Sequence, residues 1–237
     1  MTRVTLQPAY LLHRRPFRDS SQLLEVFSLD HGRLPLVARG TGRRRRGGAL
    51  AALLQPFRPL LLSFAGRGEM ATLHAVEPAG QLPPLAGERL VSALYLNELL
   101  SRVLHRHEAH PRLFGSYGRA LAELGGDAPL APLLRRFELG LLAELGYAVD
   151  LAREATSGAA LDPDARYRVD PERGVLPLTA IAEGAAAAYR GADLLAIAAE
   201  RFDGDGAAAL RLTRELLAPH LGSEPLRSRE LLRAGRG

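Results

Sequence analysis

The apolar residues change their spacing once along the chain, and that change dictates a fold in two parts. Before residue 78 they fall into short runs separated by turn residues. Strands are predicted at Ala9–His13, Leu23–Leu29, Arg33–Ala38, Pro59–Phe64 and Ala71–Val76. Asp30-His31-Gly32 and Ala65-Gly66-Arg67-Gly68 carry hairpin-turn chemistry. Between the third and fourth strands lie Gly40-Thr41-Gly42, four arginines, Gly47-Gly48 and a short apolar helix candidate, Ala49–Leu54. Five strands with a helix between the third and fourth is the order of an OB-fold barrel. The stretch Pro78–Pro84, with its Pro-Pro pair, reads as a linker.

From Arg89 onward the period is helical. One stripe runs through Leu96, Leu99, Leu100, Val103 and Leu104, and a second through Leu113, Phe114, Tyr117, Leu121 and Leu124. A third, through Leu130, Leu133, Leu134, Phe137, Leu141, Leu142 and Leu145, ends at Gly146, a C-terminal cap. These three helices are expected to bury their stripes against one another. Residues 151–177 break the pattern, and Asp162-Pro163-Asp164 and Asp170-Pro171-Glu172-Arg173-Gly174 bracket a strand at Tyr167-Arg168-Val169, giving a small hairpin. Helices are predicted again at Leu178–Tyr189, Asp193–Phe202, Ala207–Leu221 and Ser228–Arg233. The expected class is therefore α+β: an OB-fold β-barrel over residues 1–80, then an all-α helical domain over residues 81–237 with a β-hairpin insertion at 151–177.

Composition narrows the function. The 237 residues are 47% hydrophobic with mean hydropathy −0.04, which excludes wholesale disorder. No apolar run reaches the roughly 18 residues that a membrane-spanning helix needs. Met1–Pro8 lacks the apolar core of a secretory signal, so a cytoplasmic, nucleoid-associated location is expected. There is no cysteine, which removes disulfides, thiolate nucleophiles and cysteine-ligated zinc. The net charge of +5 is polarised: residues 1–80 hold 12 arginines against 5 acids, whereas residues 81–160 hold 8 against 9 and residues 161–237 hold 11 against 12. A basic first third on a neutral body points to a polyanion-facing module.

Arg43-Arg44-Arg45-Arg46, flanked by glycines, offers planar donors for phosphate oxygens, and alone it reads equally well as a solvated charge run. Arg14, Arg15 and Arg18 in the first turn, Arg33 and Arg39 on the third strand, and Arg67 in the last turn shift the balance, since barrel loops converge. Among Tyr10, Phe17, Phe27, Phe57 and Phe64 most are expected in the core, and Phe17, beside the turn arginines, is the candidate to stack on bases. Gly40-Thr41-Gly42 lacks the Gly-Lys-Ser/Thr of a phosphate loop. His105, His107 and His110 resemble metal ligands in type but not in spacing, and read as a surface cluster at a helix end. There is no Gly-x-Ser-x-Gly elbow, and Asp162/Asp164 and Asp203/Asp205 sit in turn contexts; no active site and no cofactor are expected. Arg135-Arg136 beside Leu133, Leu134 and Phe137 admits two readings, the cationic rim of a groove for a carboxylate-ended peptide or the solvated face of an ordinary helix.

Five segments occur in an order that resembles the RecO family of bacterial DNA repair proteins: Leu54-Gln55-Pro56-Phe57-Arg58-Pro59-Leu60-Leu61-Leu62, Leu96-Asn97-Glu98-Leu99-Leu100-Ser101-Arg102, Leu134-Arg135-Arg136-Phe137-Glu138, Leu145-Gly146-Tyr147 and Pro225-Leu226-Arg227-Ser228-Arg229-Glu230-Leu231. The resemblance covers essentially the whole chain. It implies a non-catalytic recombination mediator that binds single- and double-stranded DNA and anneals complementary strands. With RecR such a protein helps load RecA on DNA coated by single-stranded DNA-binding protein (SSB), whose acidic C-terminal tail it binds. DNA contacts are then expected at Arg14, Arg15, Phe17, Arg18, Arg33, Arg39, Arg43, Arg44, Arg45, Arg46 and Arg67, and the SSB tail at Leu133, Arg135, Arg136 and Phe137. Some members carry a four-cysteine zinc site near the region matching residues 151–177; this chain has none, so packing must hold its hairpin. The competing classes are an RNA-binding OB protein and a protein scaffold whose basic loops are only solvated.

Overall fold

The computed structural model describes residues 2–18, 21–40, 52–66, 70–81, 85–178, 188–202 and 206–234. They pack as two compact units, Met1–Asp127 with Ser223–Gly237, and Ala128–Gly222. Among the described residues, no helix is long and apolar enough to cross a membrane.

In the first unit, β1 (Thr2–Phe17), β2 (Ser21–Ser28), β3 (Gly32–Arg39), β4 (Pro59–Gly66) and β5 (Ala71–Pro78) close into a barrel in the order β1-β2-β3-β5-β4. The closing contact is the one parallel pair among these strands, Leu36 with Ala71 and Val37 with Thr72. This is the expected OB-fold. Strand β1 is far longer than its apolar run because it serves two neighbours, β2 through its second half and β4 through its first. A bulge between Val4 and Gln7, with Leu6 at φ +52°, breaks the alternation that would have revealed the first half in the sequence. Inward positions alternate along each strand, so Leu11, Leu24, Val26, Leu34, Leu36, Leu60, Leu62 and Phe64 fill the interior, with Leu54 completing the core. Of the helix predicted at Ala49–Leu54, the described part is a single helical turn at Ala52–Leu53.

Helices α1 (Gly87–Val103) and α2 (Pro111–Leu124) cover part of the barrel's outside. Tyr10 and Phe27 face outward and meet Phe114 at ring separations of 5.1 and 5.5 Å, and Tyr10 meets Tyr117 edge-on at 4.9 Å. A buried polar link fastens the same surface. Asn97 Nδ2 donates to the Leu12 carbonyl at 3.0 Å, and the wholly buried Tyr117 hydroxyl donates to Asn97 Oδ1. Burial holds the Tyr117 phenol well above its ordinary pKa, so the donor keeps its proton at any physiological pH.

The chain returns to α1 at its end. Helix α6 (Arg227–Ala234) presents its first-turn amides to Glu98, whose carboxylate accepts from Arg227 N and Ser228 N at 3.0 Å each and from Ser228 Oγ at 2.6 Å. Arg102 donates to Glu98 Oε1 at 2.9 Å, to the Pro225 carbonyl at 2.8 Å and to the Glu224 carbonyl. Burial alone would raise the Glu98 carboxyl; the Ser228 and Arg227 hydrogen bonds and the Arg102 charge outweigh it, and the group sits below its ordinary pKa. A depressed carboxyl stabilises the fold above its unfolded pKa and loses that contribution as pH falls through the folded value. The melting-temperature difference between wild type and Glu98→Gln is therefore expected to be widest near neutrality and to narrow on acidification through and below the ordinary carboxylate range. A difference that stays constant over that range would show that the carboxylate's charge does not hold the terminal helix.

In the second unit, α3 (Leu130–Glu144) packs with α5 (Ala207–Leu221), and α4 (Gly191–Ala198) also contacts α5. The expectation of three mutually packed stripes thus holds for the first two, while the third builds its own unit. Gly146, at φ +82°, closes α3 as expected: its N–H donates to Ala143 O at 3.1 Å and Tyr147 N–H to Leu142 O at 2.8 Å. The hairpin is present as β6 (Arg166–Asp170) and β7 (Gly174–Pro177), with a third short strand, β8 (Tyr189–Arg190), on the other side of β6. The helix predicted at Leu178–Tyr189 lies mostly outside the described residues, and its last residue is strand.

Candidate nucleic-acid interface and peptide groove

One end of the barrel gathers part of the predicted basic set. Phe17 pairs with Ser21 and Ser21 with Arg39, so the three form a row across β1, β2 and β3. Arg15 lies two rows along, opposite Leu23 and then Val37. Arg15, Arg18 and Arg39 are exposed, and Phe17 is half-buried. Arg18, at φ +54°, carries its guanidinium carbon 5.2 Å from the Phe17 ring centroid. The site therefore offers three cations and a ring-guanidinium stack. Arg43, Arg44, Arg45, Arg46 and Arg67 lie outside the described residues. Of their described neighbours, Gly40 follows Arg39 at this end, whereas Gly66 pairs with Ala71 and with Thr2, at the opposite end of β1 from Phe17, and Ala71 pairs with Leu36, three rows from Arg39.

Two of the predicted arginines do other work. Arg14 stands opposite the core residue Leu24 and donates from Nη1 to the Leu54 carbonyl at 3.0 Å, fastening to β1 the turn whose Leu54 is fully buried. Arg33 is the second residue of β3, six residues and about 20 Å of strand from Arg39. There its Nε lies 3.1 Å from Glu25 Oε1, and Arg106 also reaches Glu25, through Nη2 to Oε2 at 3.1 Å. Burial lowers the Arg33 pKa, with Glu25 acting against the shift and Arg106 with it. Sequence reasoning places Arg33 with Arg39 because both are on one strand; strand length separates them, Glu25 reaches Arg33 from the neighbouring strand of the hairpin, and Arg106 lies too far along the chain to be read as a neighbour.

Of the five aromatic residues, most of them expected in the core, only Phe27 and Phe64 are buried, and Tyr10, Phe17 and Phe57 are half-buried. Tyr10 and Phe27 are held by α2, Phe64 is in the barrel core, and Phe57 is half-buried at φ +67°. The histidine cluster follows the end of α1, as expected, with His105 and His107 exposed, but His110 departs from it, buried at the start of α2. Arg106 bridges to Arg33, and His107 N–H donates to Arg33 O at 2.8 Å. Gly32, at φ +60°, permits this approach, because a Cβ there would lie 1.7 Å from the Glu108 carbonyl oxygen. Among the described residues no group of three candidate ligands could hold a metal ion. Asp162 forms a turn, its Oδ1 accepting from Asp164 N at 2.9 Å; Asp203 and Asp205 lie outside the described residues.

In the second unit the arginine pair divides. Arg135 is buried, with Leu133 and Phe137, and is ion-paired to Glu138 one turn on. It is not at a groove rim, contrary to expectation: in a helix, residues i and i+1 point about 100° apart, so adjacent arginines cannot share a face. Arg136 does line a groove, of about 430 Å³, whose apolar lining includes Leu139, Leu142, Leu151 and Leu216. Tyr147 forms part of the wall, about half exposed, with its ring stacked on His220 at 3.9 Å. Sequence reasoning gives Tyr147 no role, although the Leu145-Gly146-Tyr147 segment that carries it marks the cap which orients it. An apolar floor with a guanidinium on its rim can take a short peptide that presents apolar side chains and a carboxylate.

The chain is similar to known proteins over nearly its whole length. Residues 1–82 match the family model described as Recombination protein O N terminal, and residues 85–230 match Recombination protein O C terminal. The chain is 45% identical over 235 residues to the DNA repair protein RecO of Methylococcus capsulatus, covering 98% of this chain and 95% of that protein. It is 44% identical over 230 residues to the DNA repair protein RecO of Vibrio cholerae, covering 96% and 93%, and 42% identical over 228 residues to that of Aliivibrio salmonicida, covering 95% and 94%.

Proposed function

Because the chain belongs to the RecO family of DNA repair proteins, we propose that it is a non-catalytic recombination mediator that binds DNA through one end of its barrel. It binds single- and double-stranded DNA, anneals complementary strands and, with RecR, assists RecA loading on SSB-coated single strands in the cytoplasm. Residues 1–80 carry the DNA and residues 81–237 the protein contacts. The observation that supports this reading is the row of Phe17, Ser21 and Arg39 with Arg15 and Arg18 near it, at the end of β3 that leads into the segment with Arg43–Arg46. Cations there lower the repulsion between two phosphate backbones while leaving base edges free to pair. The acidic SSB tail docks in the groove beside Arg136 rather than at Arg135.

The test is a titration of fluorescein-labelled single-stranded DNA at two salt concentrations. If six or more phosphates are neutralised, wild-type affinity falls roughly 10³-fold between 50 and 200 mM salt. A triple Arg15→Ser, Arg18→Ser, Arg39→Ser variant is expected to flatten the logarithmic salt slope by about 2, near 0.7 for each phosphate that no longer meets a guanidinium. Changing Arg43–Arg46 to Ser flattens it further, whereas Arg33→Ser leaves it unchanged. An unaltered slope in the triple variant would return the chain to the scaffold reading.

A further inference from the structure

The rim of the peptide groove holds a carboxylate already. Glu200 Oε2 lies 3.7 Å from Arg136 Nε, both side chains are substantially exposed, and both residues line the groove. The backbone puts Glu200 there at a cost. It follows Ala199, the C-terminal cap of α4, with its own N–H donating to Ile197 O at 3.0 Å and Arg201 N–H to Ala196 O at 2.8 Å. That is the helix-closing turn whose residue at this position is usually glycine, and Glu200 occupies it at φ +53°. Elsewhere in the same unit the equivalent turn after α3 has Gly146. A charged side chain held in a left-handed conformation, with its carboxylate at the arginine of the groove rim, calls for a reason that helix closure does not supply.

We infer that Glu200 is a resident competitor for Arg136: it holds the guanidinium in the empty groove, and an incoming peptide carboxylate must displace it. Resting on the groove reading above, this makes Glu200 the residue that sets how far the groove favours a carboxylate. A neutral apolar segment leaves the internal pair intact and gains only the apolar burial. A peptide with an apolar end and a carboxylate exchanges one ion pair for another, so Glu200 takes from it part of the advantage that Arg136 would otherwise give. The internal pair is solvent-screened and weak, so it lowers that advantage without closing the site.

The test uses a fluorescein-labelled decapeptide with an acidic body and two apolar C-terminal residues, made as the free acid and as the C-terminal amide. Its binding to the full chain is followed by fluorescence anisotropy. Glu200→Gln, which keeps a side chain in the left-handed position, is expected to tighten free-acid binding about two- to five-fold, the range of an exposed ion pair. Glu200→Gly is expected to tighten it equally. In an Arg136→Gln background neither change has an effect. If glycine alone tightens binding, backbone strain is the cause and the competitor role is overturned. If wild type binds in an Arg136-dependent way and Glu200→Gln changes nothing, the competitor role fails while the groove reading stands. If wild type does not bind either peptide, the groove reading itself fails.

Discussion

Glu138→Ala is expected to cost about 3–5 kcal/mol of stability, a fall of roughly 6–20 °C in melting temperature for a chain of this size. The reason is the burial of its partner. The Arg135 and Glu138 side chains are only 7% and 1% exposed, so removing the acid leaves a guanidinium uncompensated in the second unit's interior. The sign reverses for the pair: Arg135→Met with Glu138→Leu removes both charges from the interior and is expected to recover most of the loss. Thermal unfolding of the three proteins decides it. A Glu138→Ala variant within about 1 kcal/mol of wild type would mean that Arg135 reaches water when its partner goes.

Gly32→Ala is the second large effect, expected at about 2–4 kcal/mol from the left-handed backbone and the overpacking together. The added methyl meets the Glu108 carbonyl, which is backbone and cannot swing aside, so residues 104–110 must leave β3 or the hairpin must distort. Gly40→Ala is the matched control. Its φ of +72° is similar but nothing lies within 4 Å, so it carries the conformational cost alone, about 1 kcal/mol. Urea unfolding separates the two. Equal losses would show that the approach of Glu108 to the hairpin contributes nothing, and faster exchange of the His107 amide in Gly32→Ala would locate the damage.

How far the sequence reaches depends on whether the controlling contact is local. Alternating apolar residues and Gly32 in a hairpin turn are local signals, and the barrel order is readable from them. So is the cap at Gly146. The register that unites Phe17 with Arg39 follows from strand pairing and is legible in outline. The parting of Arg33 from that set depends on Glu25 and Arg106, the latter 81 residues from Glu25 in the chain, and no local pattern encodes such a distance. Arg135 and Arg136 read as one unit because they are adjacent, whereas helical geometry sends them to opposite environments. Asn97 and Glu98 stand in a family-like segment with no role attached, since the barrel carbonyls and the terminal helix they bind lie 85 and 130 residues away.

The hold of Glu98 on the terminal helix has a consequence for the order of events during synthesis. At about 5–20 residues per second, the 130 residues between Glu98 and Ser228 take roughly 6–26 s to make. All of Ala128–Gly222 is translated within that interval. The later-made unit is therefore translated in full while the earlier one still lacks the helix that Glu98 holds.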